Sequence, residues 1–183
     1  MSKASFVKKI VCLLGASLAV QWTSCAFAAE PSIGLPTCAD DPVFRDQDFA
    51  LGTWDVFAGD TLTAHVHMER ALNDCAIREV WTVAEGQPGN GLGLFTYSRL
   101  LKIWQYLWAA DTGNTTAFTG SQLKPGEMRY LTTRPLSNGG VRHRDWRLIL
   151  QPDGRVRELS VGSDDGGKTW TTEYDLMWVK VIK

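Results

Sequence analysis

The chain has 183 residues and carries 19 Lys and Arg against 20 Asp and Glu, a formal net charge of −1. So even a balance argues against a dominant basic face, and with it against nucleic acid or anionic lipid as the main partner. The one long apolar run near the start, residues 10–20, is about half of what a membrane-crossing helix needs, and no second run follows, so no membrane span is expected.

That run reads as part of a signal peptide. Lys3, Lys8 and Lys9 precede it, and Ala26-Phe27-Ala28 supplies the small residues a signal peptidase requires. Residues 1–28 are therefore expected to be removed on export. Cys25 offers a lipoprotein alternative, but Trp22 stands three residues before it, where an aliphatic residue is usual. Cleavage after Ala28 leaves sixteen basic against twenty acidic residues, a net charge of −4 that suits a soluble domain. The roughly 155 residues that remain are enough for one domain with a real core.

Residues 29–50 read as a lead-in, with a short helix expected within 41–51. Two cysteines lie beyond the leader, Cys38 and Cys75. In an oxidising compartment they either form a disulfide that ties the lead-in to the domain wall or stay as two separate buried thiols; the disulfide is the expectation carried forward.

From residue 53 onward, short runs of β-branched and aromatic residues alternate with clusters of Gly, Pro, Asn and Asp. Strands are expected over 53–57, 61–70, 76–83, 92–97, 103–110, 115–119, 128–134, 141–150, 155–161 and 170–181. The intervening turn chemistry, clearest in Gln151-Pro152-Asp153-Gly154, is spaced as in a meander of hairpins. No segment beyond the leader holds a helical period over a dozen residues. An open antiparallel sheet of this many strands would leave long edges exposed, so it must curl or close. The expected fold is all-β: a single antiparallel up-and-down β-barrel of about 8–10 strands over residues 51–183. A two-sheet sandwich is the competing solution.

Leu51-Gly52-Thr53-Trp54-Asp55-Val56 opens the first strand, and its Gly-x-Trp resembles the entry signature of lipocalins and fatty-acid-binding proteins, whose Trp plugs one barrel end. It is followed in order by Asp74-Cys75-Ala76-Ile77-Arg78-Glu79-Val80-Trp81, by Trp104-x-x-x-Trp108, and by Asp153-Gly154-Arg155-Val156-Arg157 leading to the Ser163–Trp170 segment. Across about residues 44–178 the chain resembles a bacterial family of exported, lipocalin-like domains of the calycin superfamily, whose function is unknown. The resemblance implies the barrel and a periplasmic or secreted location, and no activity. The chain departs from that family at Gln105, one residue after Trp104 where the family has a Gln at two, and at His143, where an Arg is common. No role is transferred through either position.

Several motifs bear on chemistry. Ser163-Asp164-Asp165-Gly166-Gly167-Lys168-Thr169-Trp170 matches the Asp-box of sialidase-type propellers, but one copy without a repeat reads as a rigid hairpin. His65 and His67 share one face of a strand, opposite the apolar face of Leu62, Ala64, Val66 and Met68, so both should point to water. With His143 as the only further His, no metal site is expected, nor a haem or any other cofactor. Residues 86–93 lack the spacing of a phosphate loop and read as a long hairpin loop at the barrel mouth.

Glu79 alternates with Ile77, Trp81 and Val83 and so should face the interior, where a carboxyl needs a cationic partner or several donors, or takes up a proton. Arg144, in phase with Trp146 and Leu148, is the expected partner. Trp54, Trp81, Trp104, Trp108, Trp146 and Tyr174 complete a candidate cavity for a small apolar or amphipathic ligand. No catalytic residue is assigned. The alternatives are a structural module of the envelope with a filled core, or an enzyme acting on a lipophilic substrate with Glu79 as its acid or base.

Overall fold

The computed structural model describes Gly34, residues 36–86 and residues 89–182. The leader expected over 1–28 lies outside the described residues, as do Gln87 and Pro88 of the expected mouth loop. Ten strands follow one another: β1 (Gly52–Ala58), β2 (Thr61–Ala71), β3 (Ala76–Val83), β4 (Gly91–Ser98), β5 (Ile103–Ala110), β6 (Thr115–Lys124), β7 (Glu127–Pro135), β8 (Val141–Leu150), β9 (Val156–Ser163) and β10 (Thr171–Lys180). Each pairs antiparallel with its neighbours in sequence, and β1 pairs with β10, so the sheet closes on itself. The fold is an all-β, single, up-and-down barrel of ten strands, at the upper end of the expected count, and the sandwich is excluded. Among the described residues no helix is long and apolar enough to cross a membrane.

The period-two alternation drives this closure. On β1 and β2 the residues Trp54, Val56, Ala64, Val66 and Met68 are at most 1% exposed, whereas His65 and His67 between them face out. Phe95, Met128, Tyr130, Leu148, Val156 and Trp178 continue the inner layer, also nearly free of solvent contact. Full burial of each such side chain contributes roughly 1.5–3 kcal/mol, and closure leaves no unpaired edge.

The strands alternate in direction, so one barrel end collects the starts of the odd-numbered strands and the other their finishes. The first end is sealed. The short helical lead-in expected within 41–51 is present as two 3₁₀ turns, Pro42–Arg45 and Asp48–Ala50. Pro42 presets the backbone at the start of the first turn, and Asp41 accepts a hydrogen bond there from the Val43 amide. Phe44, Gln47 and Ala50 drop into the barrel end and are buried. The Trp54 indole donates to the Ala50 carbonyl at 2.8 Å, the Trp104 indole to Asp46 at 3.2 Å, and the Tyr130 hydroxyl to Gln47. Phe44 packs edge-on against Tyr97 and Trp104.

A latch holds this plug in place. Cys38 and Cys75 form a disulfide between the lead-in and the turn joining β2 to β3, as expected. Leu72, Asn73 and Asp74 of that turn have positive φ (52°, 52° and 68°), a conformation costly for Leu. Arg45 and Arg70 both donate to the Asp74 carbonyl, and Arg70 also donates to the Phe44 carbonyl. The same groups that fix the turn therefore fix the plug.

A disulfide across 37 residues limits the unfolded chain. Replacing both cysteines with serine should cost about 3 kcal/mol in urea unfolding, with the strands retained by circular dichroism. An unchanged midpoint would show that the latch is not a stabilising element.

Candidate binding cavity

The other end of the barrel is open. It is ringed by the turn at Gly59-Asp60, by residues 84–86 and 89–90 after β3, by the connections after β5 (111–114) and β7 (136–140), and by the 164–170 turn. Below it lies a cavity of about 400 Å³, at the small end of the range typical of small-molecule sites. Its walls are aromatic and aliphatic: Trp81 and Val83 of β3, Tyr106 and Trp108 of β5, Phe118 of β6, Trp146 of β8, and Tyr174 and Leu176 of β10. Tyr106 stacks on Phe95 with centroids 4.0 Å apart and on Trp146 at 5.0 Å, and Trp81 meets Trp108 edge-on at 6.4 Å. The lower half of the barrel is filled; the upper half is not.

Of the eight residues expected in a cavity, Glu79, Trp81, Trp108, Arg144, Trp146 and Tyr174 lie on this wall. Trp54 and Trp104 do not. Both stand near the starts of β1 and β5, at the sealed end, where their indoles hold the plug. Alternation fixes the face of a side chain but not its height in the barrel.

Three charged groups reach the cavity: Glu79, Glu158 and Arg144. Glu79 is 2% exposed. One of its oxygens accepts from the Tyr106 hydroxyl at 2.8 Å, and the other accepts no hydrogen bond among the described residues. Gly93 of β4 lies opposite Glu79, and a Cβ there would overlap both the carboxyl and the Tyr106 ring, so the absent side chain makes their room. Burial pushes the Glu79 carboxyl up to about 8; the Tyr106 bond opposes this and the nearby Glu158 adds to it. Glu158, 5% exposed, accepts from the Trp146 and Trp178 indoles, each at 2.9 Å. Its pKa is also raised by burial, against those two donors and the Tyr174 hydroxyl.

The expected Glu79–Arg144 pair does not form. Arg144 Nε donates to Glu173 at 2.5 Å. The same carboxylate accepts from Arg142 at 2.7 Å and from Ser160 at 2.8 Å, and Arg142 also grips Asp164. Glu173 is drawn inward by a bulge: β10 pairs Thr172 with Val161 and Tyr174 with Ser160, so Glu173 is the extra residue. Strict alternation would set it on the face opposite Tyr174, whereas here both meet interior groups. The Arg144, Arg142 and Ser160 bonds hold the Glu173 carboxyl down at about 2 despite partial burial.

Tyr106, Phe118, Glu158 and Glu173 were not among the residues expected at the site. Tyr106 was within reach, since it falls in phase between Trp104 and Trp108. Glu158 was harder to find, because Leu159 and Val161 on the opposite face of β9 blur the alternation. The histidines are where the pattern put them: His65 and His67 are on the outer wall, about half exposed, beside Asp55 and Glu69 respectively. His143 falls on the opposite face of β8 from Arg142 and Arg144, which both bond Glu173. Among the described residues no three His, Cys, Asp or Glu side chains are grouped to hold a metal. The 164–170 turn is rigid, with Asp165 accepting from the Lys168 and Thr169 amides at 3.0 and 2.9 Å and from the Ser163 and Thr169 hydroxyls.

The Glu79 shift has a sign that can be tested. An unfolded Glu ionises near its ordinary 4.5, while the folded one keeps its proton to about 8. Its contribution therefore favours the fold at acid pH and is lost as pH rises between those values, by up to about 1.4 kcal/mol per pH unit. Glu79→Gln should remove this slope, melting several degrees above the parent at pH 8 and nearer to it at pH 5. Parallel melting curves for both proteins would contradict the assignment.

A scan against protein-family models finds no match for this chain, and a search of curated proteins finds none either, so its function is read from the fold and the cavity.

Proposed function

We propose that this protein is an exported binding protein of lipocalin-like architecture that holds a small apolar or amphipathic molecule in the open half of its barrel. The single observation that carries this reading is a cavity of about 400 Å³, walled by Trp81, Tyr106, Trp108, Phe118 and Trp146, at the unsealed end. An open cavity walled by aromatic side chains leaves apolar surface facing water, which a bound apolar molecule would cover. Export is supported by the leader read over residues 1–28 and by the Cys38–Cys75 disulfide, a bond that persists in oxidising compartments. The family resemblance supports the periplasm or the exterior of a bacterium as the location.

One observation favours a second reading, proton-transfer catalysis: a carboxyl with a raised pKa in a cleft is a usual general acid or base. The arrangement in which Arg144 tunes it does not apply, because Arg144 is bonded to Glu173.

Titration with N-phenyl-1-naphthylamine, an uncharged apolar fluorophore, tests the binding reading. Saturable one-site enhancement is expected. Thr116→Phe, which fills the wall below the mouth, should weaken it at least fivefold without lowering the melting temperature by more than a few degrees. Absence of saturable binding, or equal binding by the filled variant, would count against the cavity as the site.

A further inference from the structure

We infer that the cavity selects an organic cation, an amine or quaternary ammonium group carried on an apolar body, and seats it against Glu79. This deepens the binding reading above and rests on it.

The charges around the cavity fall into two layers. At the rim, Arg142 and Arg144 are matched by Glu173 and Asp164, two cations against two anions, all joined by direct hydrogen bonds. That network is neutral in sum. Deeper in, Glu79 and Glu158 face the same cavity, and neither forms an ion pair with any described residue. Glu158 is satisfied by two indole N–H groups. Glu79 has one protein donor, the Tyr106 hydroxyl, and its second oxygen accepts no hydrogen bond from the described residues and is open to the cavity. A buried carboxyl with an unfilled acceptor, on the wall of a cavity, is a group waiting for a donor or a positive charge.

The surrounding surface suits a cation in particular. Tyr106, Trp108 and Trp81 present aromatic surface to the space beside Glu79, and Phe118 and Trp146 continue it. Aromatic faces carry negative quadrupole potential and attract ammonium groups, more strongly when water is excluded. An anionic ligand would meet these faces and two carboxyls, against one guanidinium whose Nε is bonded to Glu173. A neutral apolar ligand would fill the space but leave the Glu79 oxygen unpaired. A cation uses both features.

Binding of such a cation should also ionise Glu79, because a positive charge beside it reverses the effect of burial. The groups facing Glu79 within the cavity are Tyr106, Glu158, Tyr174 and Arg144, and burial keeps both tyrosines protonated across the neutral range. Affinity for a permanently charged ammonium is therefore expected to rise with pH between 6 and 8, while that of an uncharged analogue stays level.

The test uses displacement of N-phenyl-1-naphthylamine from the whole mature protein by three matched compounds. These are benzoylcholine, its uncharged carbon isostere 3,3-dimethylbutyl benzoate, and the anion 4-phenylbutyrate. The expected result is that benzoylcholine binds at least tenfold tighter than either of the others at pH 7.5, and that its advantage grows between pH 6 and 8. Glu79→Gln should bring the ratio of cation to isostere, each measured against that variant's own fluorophore affinity, close to one. An isostere or anion that binds as tightly as the cation in the parent protein would overturn the inference and leave the cavity reading standing. A ratio that survives Glu79→Gln would do the same. A fluorophore that does not bind at all would overturn both. The parent protein's ratio and its pH dependence need no variant, so poor folding of Glu79→Gln does not remove the test.

Discussion

The structure depends on the seating of residues 36–51 across one end of the barrel. Three side-chain bonds make the seat: Trp54 to the Ala50 carbonyl, Trp104 to Asp46, and Tyr130 to Gln47. Each takes a polar atom that barrel closure would otherwise bury unpaired and uses it to hold the plug. The Cys38–Cys75 disulfide and the two arginines on the Asp74 carbonyl then fix the plug from outside the barrel. With one end closed by aromatic packing, any unfilled volume is confined to the other. The cavity is where it is because the plug is where it is.

The same division separates two kinds of polar group. In the plug, the Trp54, Trp104 and Tyr130 donors find acceptors on residues 46–50, while Arg45 Nε and Gln47 Nε2 are buried without a hydrogen bond. At the mouth, Arg142, Arg144, Glu173 and Asp164 are matched to one another, and this fixes the upper ends of β8 and β10. Glu79, between these layers, has one protein donor, the Tyr106 hydroxyl, and no cationic partner among the described residues. A Leu or Met at its position would extend the apolar wall and avoid the cost of burying a carboxyl. Its presence beside an aromatic wall is what the proposed recognition role rests on.

Much of this was legible in the sequence, and the limits have physical causes. Period-two alternation located all ten strands and put Glu79 inside and His65 and His67 outside, because a half-buried strand cannot hide its pattern. Two cysteines beyond the leader left one possible internal pairing. What alternation does not encode is height along the barrel axis, so Trp54 and Trp104 read the same as Trp81 and Trp108 although the plug claims the first pair. Nor does it anticipate a bulge: Glu173 points inward only because β10 carries one residue more than β9 there. That one residue gives Arg144 a carboxylate at the rim and leaves Glu79 without a cation. The helix expected within 41–51 became two 3₁₀ turns because the chain must bend there to drop Phe44, Gln47 and Ala50 into the barrel end.

The tryptophans, on this view, serve two separate ends of the barrel, one sealed and one receptive. The indole N–H resonances of nitrogen-15-labelled protein test this directly on saturation with N-phenyl-1-naphthylamine. The signals of Trp81, Trp108 and Trp146 are predicted to shift while those of Trp54 and Trp104 stay in place. Shifts at Trp54 and Trp104 with the other three unmoved, or no shift at saturation, would contradict the division.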